Sequence, residues 1–472
     1  MIYDYIVVGS GPSGLTCAYY ILQQSKTCLL LEREKTPGGC HRVDRIQGRF
    51  SEHGPRIYSN AYVNFLQLLR NNGIHDNFVN YNFSFLPSLN KKNKSSTLMQ
   101  LIKVFSLTEL FYLGRCYIDC LVDPNFYKQK SIYAIIKHFK KSSQEYVDKI
   151  CRLTDGAGMR RYTAYQFFQL LNQFSLYAIL EPTYPNDVGW VKQMVQMLLS
   201  KGAVLKLGSS VEALEKYEEG KYNLNTEDGD TYQGRHVIFA TPTTTLENFF
   251  SNFNSIPLAE YNSVSQYETY IPITLHWDTE ILKLDAIWGQ GIGSWNIAWI
   301  VMSDYMSDTT TKGTLISCCI SKLNVKGTNN KTANECSKNE LIEEVLEQLN
   351  PLLLGKKPDI SLLAPQVYYD NNEWKNRDTA FMSTPENYKI RFPFKMENEH
   401  IYSVGTHNGL STLHVTSAES AVQNAMQWAN TYLHARQCIK SSWTLNQVLG
   451  IFTIVFITII WSIYKLKYYL TL

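Results

Sequence analysis

Near its start the chain spaces three glycines and a carboxylate as a dinucleotide site would require. Glycines 9, 11 and 14 lie in the run Gly9-Ser10-Gly11-Pro12-Ser13-Gly14, and Glu32 ends the next apolar run. Gly9 permits a tight turn, Gly11 lets a pyrophosphate approach the backbone, and Gly14 lets a helix pack closely on a strand. Pro12 and Ser13 sit where that helix starts, so its unpaired N–H groups and positive dipole end face the phosphates. A carboxylate at the tip of the second strand can bind both hydroxyls of an adenosine ribose. It repels a 2′-phosphate, which disfavours NADP.

The elements that must position these groups are legible around them. Tyr5 to Val8 reads as a buried parallel strand, Leu15 to Gln24 as a helix, and Cys28 to Leu31 as the second strand of a βαβ unit. A glycine fingerprint alone is weak; this one follows a strand, opens a helix and is answered by an acid. The pair Gly38-Gly39 suggests a second place where backbone comes close to a phosphate or ribose. No side chain stands out as a general acid or base, so the sequence names no catalytic residue.

At 472 residues the chain is too long for one compact core, and two domains are expected. With 45 basic against 42 acidic residues, the net charge of +3 gives no argument for a nucleic-acid partner. Ten cysteines are scattered without a CxxC pair, which fits free thiols in a reduced compartment and no metal site. Cys116 and Cys120, a helical turn apart, read as core residues.

The segments Arg33 to Arg42 and Phe50-Ser51-Glu52-His53-Gly54-Pro55-Arg56-Ile57-Tyr58 make the pattern specific. A fingerprint, an acid-ended strand, a Gly-Gly turn and a Gly-Pro-Arg run in this order resemble the flavin amine oxidase superfamily. That group includes amine and polyamine oxidases, protoporphyrinogen oxidases, phytoene desaturases and UDP-galactopyranose mutases. The resemblance implies FAD as cofactor, with Gly54, Pro55, Arg56 and Ile57 along the isoalloxazine ring. It adds Arg33, Gly39, Cys40 and Arg42 to the cofactor set. The family commonly has Arg directly after the Gly pair, where this chain has Cys40. Val211 is the expected adenine contact through its backbone, and Thr241 belongs to an apolar-strand-Ala-Thr-Pro segment typical of the family. In Ile401 to Thr406 the family has strand, Gly and then usually an acid. Here Gly405 is followed by Thr406, whose contact to pyrophosphate would be a hydroxyl hydrogen bond. A helix from Thr416 to Leu433 should aim its start, near Val415 and Thr416, at the flavin N1 and C2 carbonyl, where its dipole stabilises reduction.

The implied fold is α/β: a discontinuous Rossmann-type FAD-binding domain (1–80, 203–250 and 398–436) with an inserted α+β substrate domain. Residues 61 to about 200 read as mostly helical, for example Ala61 to Asn71, Ile132 to Lys141 and Ala164 to Leu180, and the helical part of the insert would take 81–202. It would be β-rich over 251–397, with strands at Ile271 to Trp277, Ser294 to Met302 and Thr314 to Ile320 and a helix at Asn339 to Leu349. Trp277, Trp288, Trp295, Trp299 and Trp374 could line a pocket, although core packing is the commoner role for any one of them.

The expected activity is FAD-dependent removal of a hydride from a C–N or C–C bond of a small molecule. A mutase acting on a nucleotide sugar, with Arg160, Arg161, Arg377 and Arg391 available for a diphosphate, stays open. So does a flavoprotein that binds FAD without turnover. Val448 to Tyr464 carries no charge and is followed by Lys465 and Lys467, which predicts a transmembrane anchor over 445–466. With no signal peptide apparent and a span this late, the expectation is a tail anchor with the catalytic domain facing the cytosol.

Overall fold

The computed structural model describes residues 1–54, 56–74, 77–81, 97–246, 249, 265–281, 288–307, 311–389, 391–396, 399–442 and 445–470. At its centre is a sheet whose parallel strands run in the order Val204–Leu207, Cys28–Glu32, Ile2–Val8, Thr231–Phe239. Phe239 and Leu31 both pair with Val8. The strand Thr231–Phe239 serves two neighbours on its other edge. Its first half joins the antiparallel strands Lys221–Thr226 and Val211–Glu218, and its second half pairs in parallel with Ile401–Ser403.

Helices cover one face of this sheet and the other is also buried, so its strands are continuous apolar runs rather than alternating ones. Val7, Leu30 and Ile238 pack under the helices Pro12–Gln23 and Ala418–Tyr432. Ile6, Val8, Leu31 and Phe239 face a separate cluster with Leu214, Tyr222 and Leu224.

A second, antiparallel sheet has the order Trp288–Ile292, Ile297–Val301, Leu315–Ile320, Ile271–His276, Ile360–Leu363. The helix Lys338–Gln348 packs against it through Leu341 and Val345. Helices between Thr97 and Leu176 form a third cluster, in which Cys116 and Cys120 are buried. The α/β class with an α+β insert is therefore the observed architecture.

Some sequence-derived boundaries move. The helix expected to reach Leu180 ends at Leu176, because Ile179–Pro182 is a strand held between Tyr58–Ser59 and Phe78–Tyr81. The helix expected over Ile132 to Lys141 stops at Ile136, and a new one starts at Lys141. The strand expected from Ser294 to Met302 starts only at Ile297 and ends at Val301, because residues 294–296 belong to a turn in which Asn296 has a φ of 53°. The helix expected from Thr416 begins at Ala418, where the Ser417 side chain caps it by accepting from the Ser420 N–H at 3.1 Å. At the far end, Leu445–Leu470 is one helix. Its segment Val448–Lys465 is long and apolar enough to cross a membrane, by length and composition, and is the one such segment among the described residues.

Candidate functional site

The carboxyl ends of five parallel strands meet at one edge of the central sheet, the place where open α/β sheets bind ligands. There Gly9 has a φ of 99°, and its N–H donates to the Leu31 carbonyl at 2.8 Å. A Cβ on Gly9 would lie 2.8 Å from the Ala240 carbonyl oxygen, so strand ends and turn are locked together. A Cβ on Gly14 would collide with the Gly9 carbonyl oxygen, so the helix can lie against the turn only with glycine there. The Gly38 N–H donates to the Ser10 carbonyl at 3.1 Å and brings the Gly-Gly turn over the first one. Gly11 and Gly39 then face each other backbone to backbone; a Cβ on Gly39 would come within 3.0 Å of the Gly11 Cα.

A cavity of about 720 Å³ opens at this point and continues between the central sheet and the second sheet. Gly9, Gly11, Pro12, Ser13 and Gly39 form its floor. Toward one end stand Glu32, Val211 and Thr241. Glu32 is buried and oriented: one carboxylate oxygen accepts from the Ser10 N–H (2.8 Å) and hydroxyl (2.7 Å), the other from the Glu34 N–H (3.0 Å).

Along the middle, Arg42 is 3% exposed and paired with Asp378 at 3.0 Å. Arg33 is more exposed, bonded to Glu34 at 3.0 Å and lying 3.7 Å from Asp378. Cys40 faces the cavity beside them, its thiol pushed up to about 12 by burial and then by the Asp378 charge. Opposite lie Gly405, Thr406, Val415 and Thr416 with the start of the helix Ala418–Tyr432. The Gly405 N–H donates to Asn408 and its carbonyl accepts from Asn424, both at 2.8 Å, and the Thr416 hydroxyl donates to the Phe381 carbonyl.

Next come Gly54, Arg56 and Ile57, delivered by the hairpin Val43–Ile46 and Arg49–Glu52. His276 ties that hairpin to the second sheet, its Nε2 2.8 Å from the Phe50 carbonyl oxygen. His53 Nε2 bonds the Tyr270 hydroxyl, and burial, with the Arg56 and Arg42 charges, holds the ring well below the usual histidine range. His41 is neutral for the same chief reason and meets the Tyr58 hydroxyl at 2.8 Å. Two groups here are incompletely bonded among the described residues, the Nδ1 of His53, 3.8 Å from Asp378, and the guanidinium of Arg56. Its Nε and Nη2 are buried and have no hydrogen-bond partner among the described residues. A buried, unsatisfied guanidinium is costly unless a ligand completes it. Together with the bare Gly11–Gly39 backbone, it suits a ligand with carbonyl and phosphate oxygens such as FAD.

The structure thus brings together almost every residue singled out from the sequence. Gly14 does not face the cavity, because its role is the close contact beneath Gly9; Pro55 lies outside the described residues. Trp288 and Trp299 line the cavity, whereas Trp277, Trp295 and Trp374 belong to the core of the second sheet. Of the four arginines available for a diphosphate, Arg377 alone lies on this cavity. Sequence reasoning missed Asp378, Tyr270 and Arg152. Asp378 meets Arg42 across 336 residues, and no local pattern could have paired them.

Residues 184–430, more than half of the chain, match the family described as flavin containing amine oxidoreductase. Residues 7–71 match an NAD(P)-binding Rossmann-like domain. Among solved structures, putrescine oxidase bound to putrescine superposes with a TM-score of 0.64 at 14% identity, over 92% of this chain and 99% of its own. An oxidoreductase from Methanosarcina mazei gives 0.64 at 14%, over 90% and 99%. Cyclohexylamine oxidase from Brevibacterium oxydans gives 0.61 at 12%, over 91% and 98%. At these identities the likeness is one of fold. No curated protein matches the chain.

Proposed function

We propose, because the chain belongs to the flavin containing amine oxidoreductase family, that this FAD-dependent oxidoreductase removes a hydride from a C–N or C–C bond of a small molecule while tethered to a membrane. FAD, when bound, supplies the redox chemistry. The observation that carries the reading is the single cavity joining the fingerprint glycines and Glu32 to the Arg56 guanidinium, whose Nε and Nη2 have no hydrogen-bond partner among the described residues.

In this reading the residues divide the work. Gly9, Gly11, Pro12, Ser13, Gly39 and Thr406 border the pyrophosphate, Glu32 takes the ribose hydroxyls, and Val211 and Thr241 flank the adenine end. Ser10 holds the Glu32 carboxylate in its acceptor geometry. Cys40, Arg42, Gly54, Arg56 and Ile57 would border the ring, with Gly405, Val415 and Thr416 on the opposite side. The positive end of the helix Ala418–Tyr432 favours negative charge developing there. His53 and Tyr270 form a neutral, hydrogen-bonded wall and exclude water rather than exchange protons. The helix Leu445–Leu470 anchors the chain, with the flavin domain on the cytosolic side.

Purification tests the reading directly. The expected product is yellow and holds one FAD per chain, and anaerobic addition of a substrate bleaches it. Colourless protein that takes up no FAD on reconstitution would end the proposal.

A further inference from the structure

Past Tyr270 the cavity leaves the family fingerprint behind. The walls here are apolar: Trp288, Trp299 and Ile300 from the second sheet, Leu153 and Leu170 from the helices, and Ile179 from the strand beside Ser59. Arg152 also borders this end, but its guanidinium is already used. Nε donates to Asp148 at 3.0 Å, and Nη1 donates to the Gly156 carbonyl at 3.0 Å and the Ser321 carbonyl at 3.4 Å. Its Nη2 lies against Gly158 in a separate cleft, and Glu268 sets a second carboxylate against its charge. The other charged groups on the cavity stand elsewhere. Glu32 and Arg56 belong to the cofactor side, and Asp378 is paired with Arg42. Arg377 lies over the Tyr368 ring, and Glu212 and Glu227 stand beside Val211. A ligand charge of either sign would lose its hydration here and find no free counter-charge.

The hydroxyl groups around this end are engaged as well. Thr154 donates to the Cys151 carbonyl at 3.1 Å, Ser321 to the Asn296 carbonyl at 3.0 Å and Tyr58 to Asn186 at 2.8 Å, while the Ser59 hydroxyl accepts from the Ala61 N–H at 3.1 Å. Two uncharged groups differ. The Trp299 Nε1 has no partner among the described residues, and it is turned to Gly289 within its own sheet. The second is Gln173, one turn beyond Leu170 on the helix Ala164–Leu176. Gln173 lines the cavity and is 3% exposed, and its Nε2 has no partner among the described residues. The amides beside it on the helix are satisfied: Asn172 donates to Gln169 at 3.1 Å and accepts from the Tyr117 hydroxyl at 2.7 Å. A buried amide left unbonded is costly, so its place in an apolar wall points to a ligand that completes it.

We propose that Gln173 is a specificity-determining residue, and that the substrate is an uncharged, largely apolar molecule whose carbonyl or amide group hydrogen-bonds to it. This rests on the reading of the cavity as a flavin oxidoreductase site. A primary amide offers two donors and one acceptor without net charge, which matches such a group and gives a carboxylate or an ammonium no ion pair. An apolar pocket with one placed polar group is also how small-molecule sites fix orientation.

The test titrates the full-length FAD-loaded protein with phenylacetamide, 3-phenylpropionamide and indole-3-acetamide, with the three matching carboxylates, and with phenethyltrimethylammonium as a permanent cation. Perturbation of the flavin spectrum and thermal shift are both read. At least one amide should bind, more tightly than its carboxylate and than the cation. Gln173→Leu keeps the bulk and removes the polar atoms. It should weaken that amide at least about tenfold, leave the spectrum of the unliganded flavin unchanged, and melt no lower than wild type, since no protein partner is lost. Gln173→Met repeats the measurement with a flexible side chain. The assignment is overturned if no amide binds, if a carboxylate or the cation binds as tightly, or if Gln173→Leu holds the amide as wild type does. It is overturned too if Gln173→Leu shifts the unliganded flavin spectrum, which would make the amide a cofactor contact, or if neither variant folds, which would make it structural. Protein that takes up no FAD would instead refute the underlying reading, and the thermal shift with amides would still report on Gln173.

Discussion

Gly11→Ala should move stability and cofactor binding in opposite directions. Gly11 has φ −69° and ψ −179°, a conformation open to any residue, and a Cβ there would meet nothing nearer than the Gly39 Cα at 3.8 Å. The apoprotein therefore has no steric cost to bear. Losing a glycine narrows the unfolded ensemble, so the variant should gain about 0.4–1 kcal/mol. FAD should suffer, because the new methyl stands on the cavity floor between the two glycine backbones. A loss of at least about tenfold, or about 1.4 kcal/mol, is expected. Gly14→Ala is the control. Its methyl meets the Gly9 carbonyl oxygen, with the Gly9 carbonyl carbon at 3.0 Å and the Ala240 side chain at 3.3 Å. Gly9 cannot yield, since its own turn is pinned to Leu31 and Ala240. The helix must back away, at about 1–3 kcal/mol. Urea unfolding of the apoproteins and quenching of flavin fluorescence on titration measure both quantities. Wild-type FAD affinity in Gly11→Ala, or an apoprotein weakened as much as Gly14→Ala, would refute the assignment of the floor.

Arg56→Ala should shift the bound-flavin absorption spectrum, while Arg33→Lys, at the more exposed pair with Glu34, should leave it unchanged; the reverse result would misplace the ring. Asp378→Ala leaves the buried Arg42 with Asp44, at 3.8 Å, as its nearest counter-charge and should cost about 1.5–3 kcal/mol in urea unfolding, much of it recovered by the double change with Arg42→Met. Burial, then the Asp187 charge against the opposing Arg56, pushes the Glu52 carboxyl up to about 7, and burial also raises Glu181. A raised carboxyl stabilises fully below its unfolded value near 4.5 and loses that contribution as pH climbs through the folded value. Apoprotein stability should thus fall between about pH 4.5 and 7, by up to roughly 3 kcal/mol from Glu52, and Glu52→Gln should flatten the curve. Deleting residues 443–472 should move the protein from the membrane pellet to the soluble fraction; retention in the pellet would show another anchor.

The glycine fingerprint and Glu32 were legible because their work is local. A turn, a helix start and two adjacent strands fit within the first 32 residues, and each glycine answers a steric demand made by its near neighbours. The apolar tail was equally plain, since charge-free length needs no partner to be recognised. The later cofactor-side segments carried weaker signals. Val211, Gly405 and Thr406 gained meaning from their order in a familiar pattern, and the strand-to-helix boundary near Ser417 was set by a cap whose donor is three residues on.

Other features depended on pairing at a distance. Ile179–Pro182 is apolar enough to continue a helix; it became a strand because Tyr58–Ser59 and Phe78–Tyr81 offer it backbone partners on both sides. Arg42 is expected beside the cofactor, but nothing in the sequence gives it Asp378, and only the fold brings the segment after Glu373–Asn376 against the start of the hairpin and buries the two as a pair. Arg152 is one arginine on an amphipathic helix until the fold sets it against the Ser321 carbonyl at the apolar end of the cavity. Local sterics and hydrophobic runs are written along the chain, whereas desolvation and counter-charge exist only once distant segments have come together.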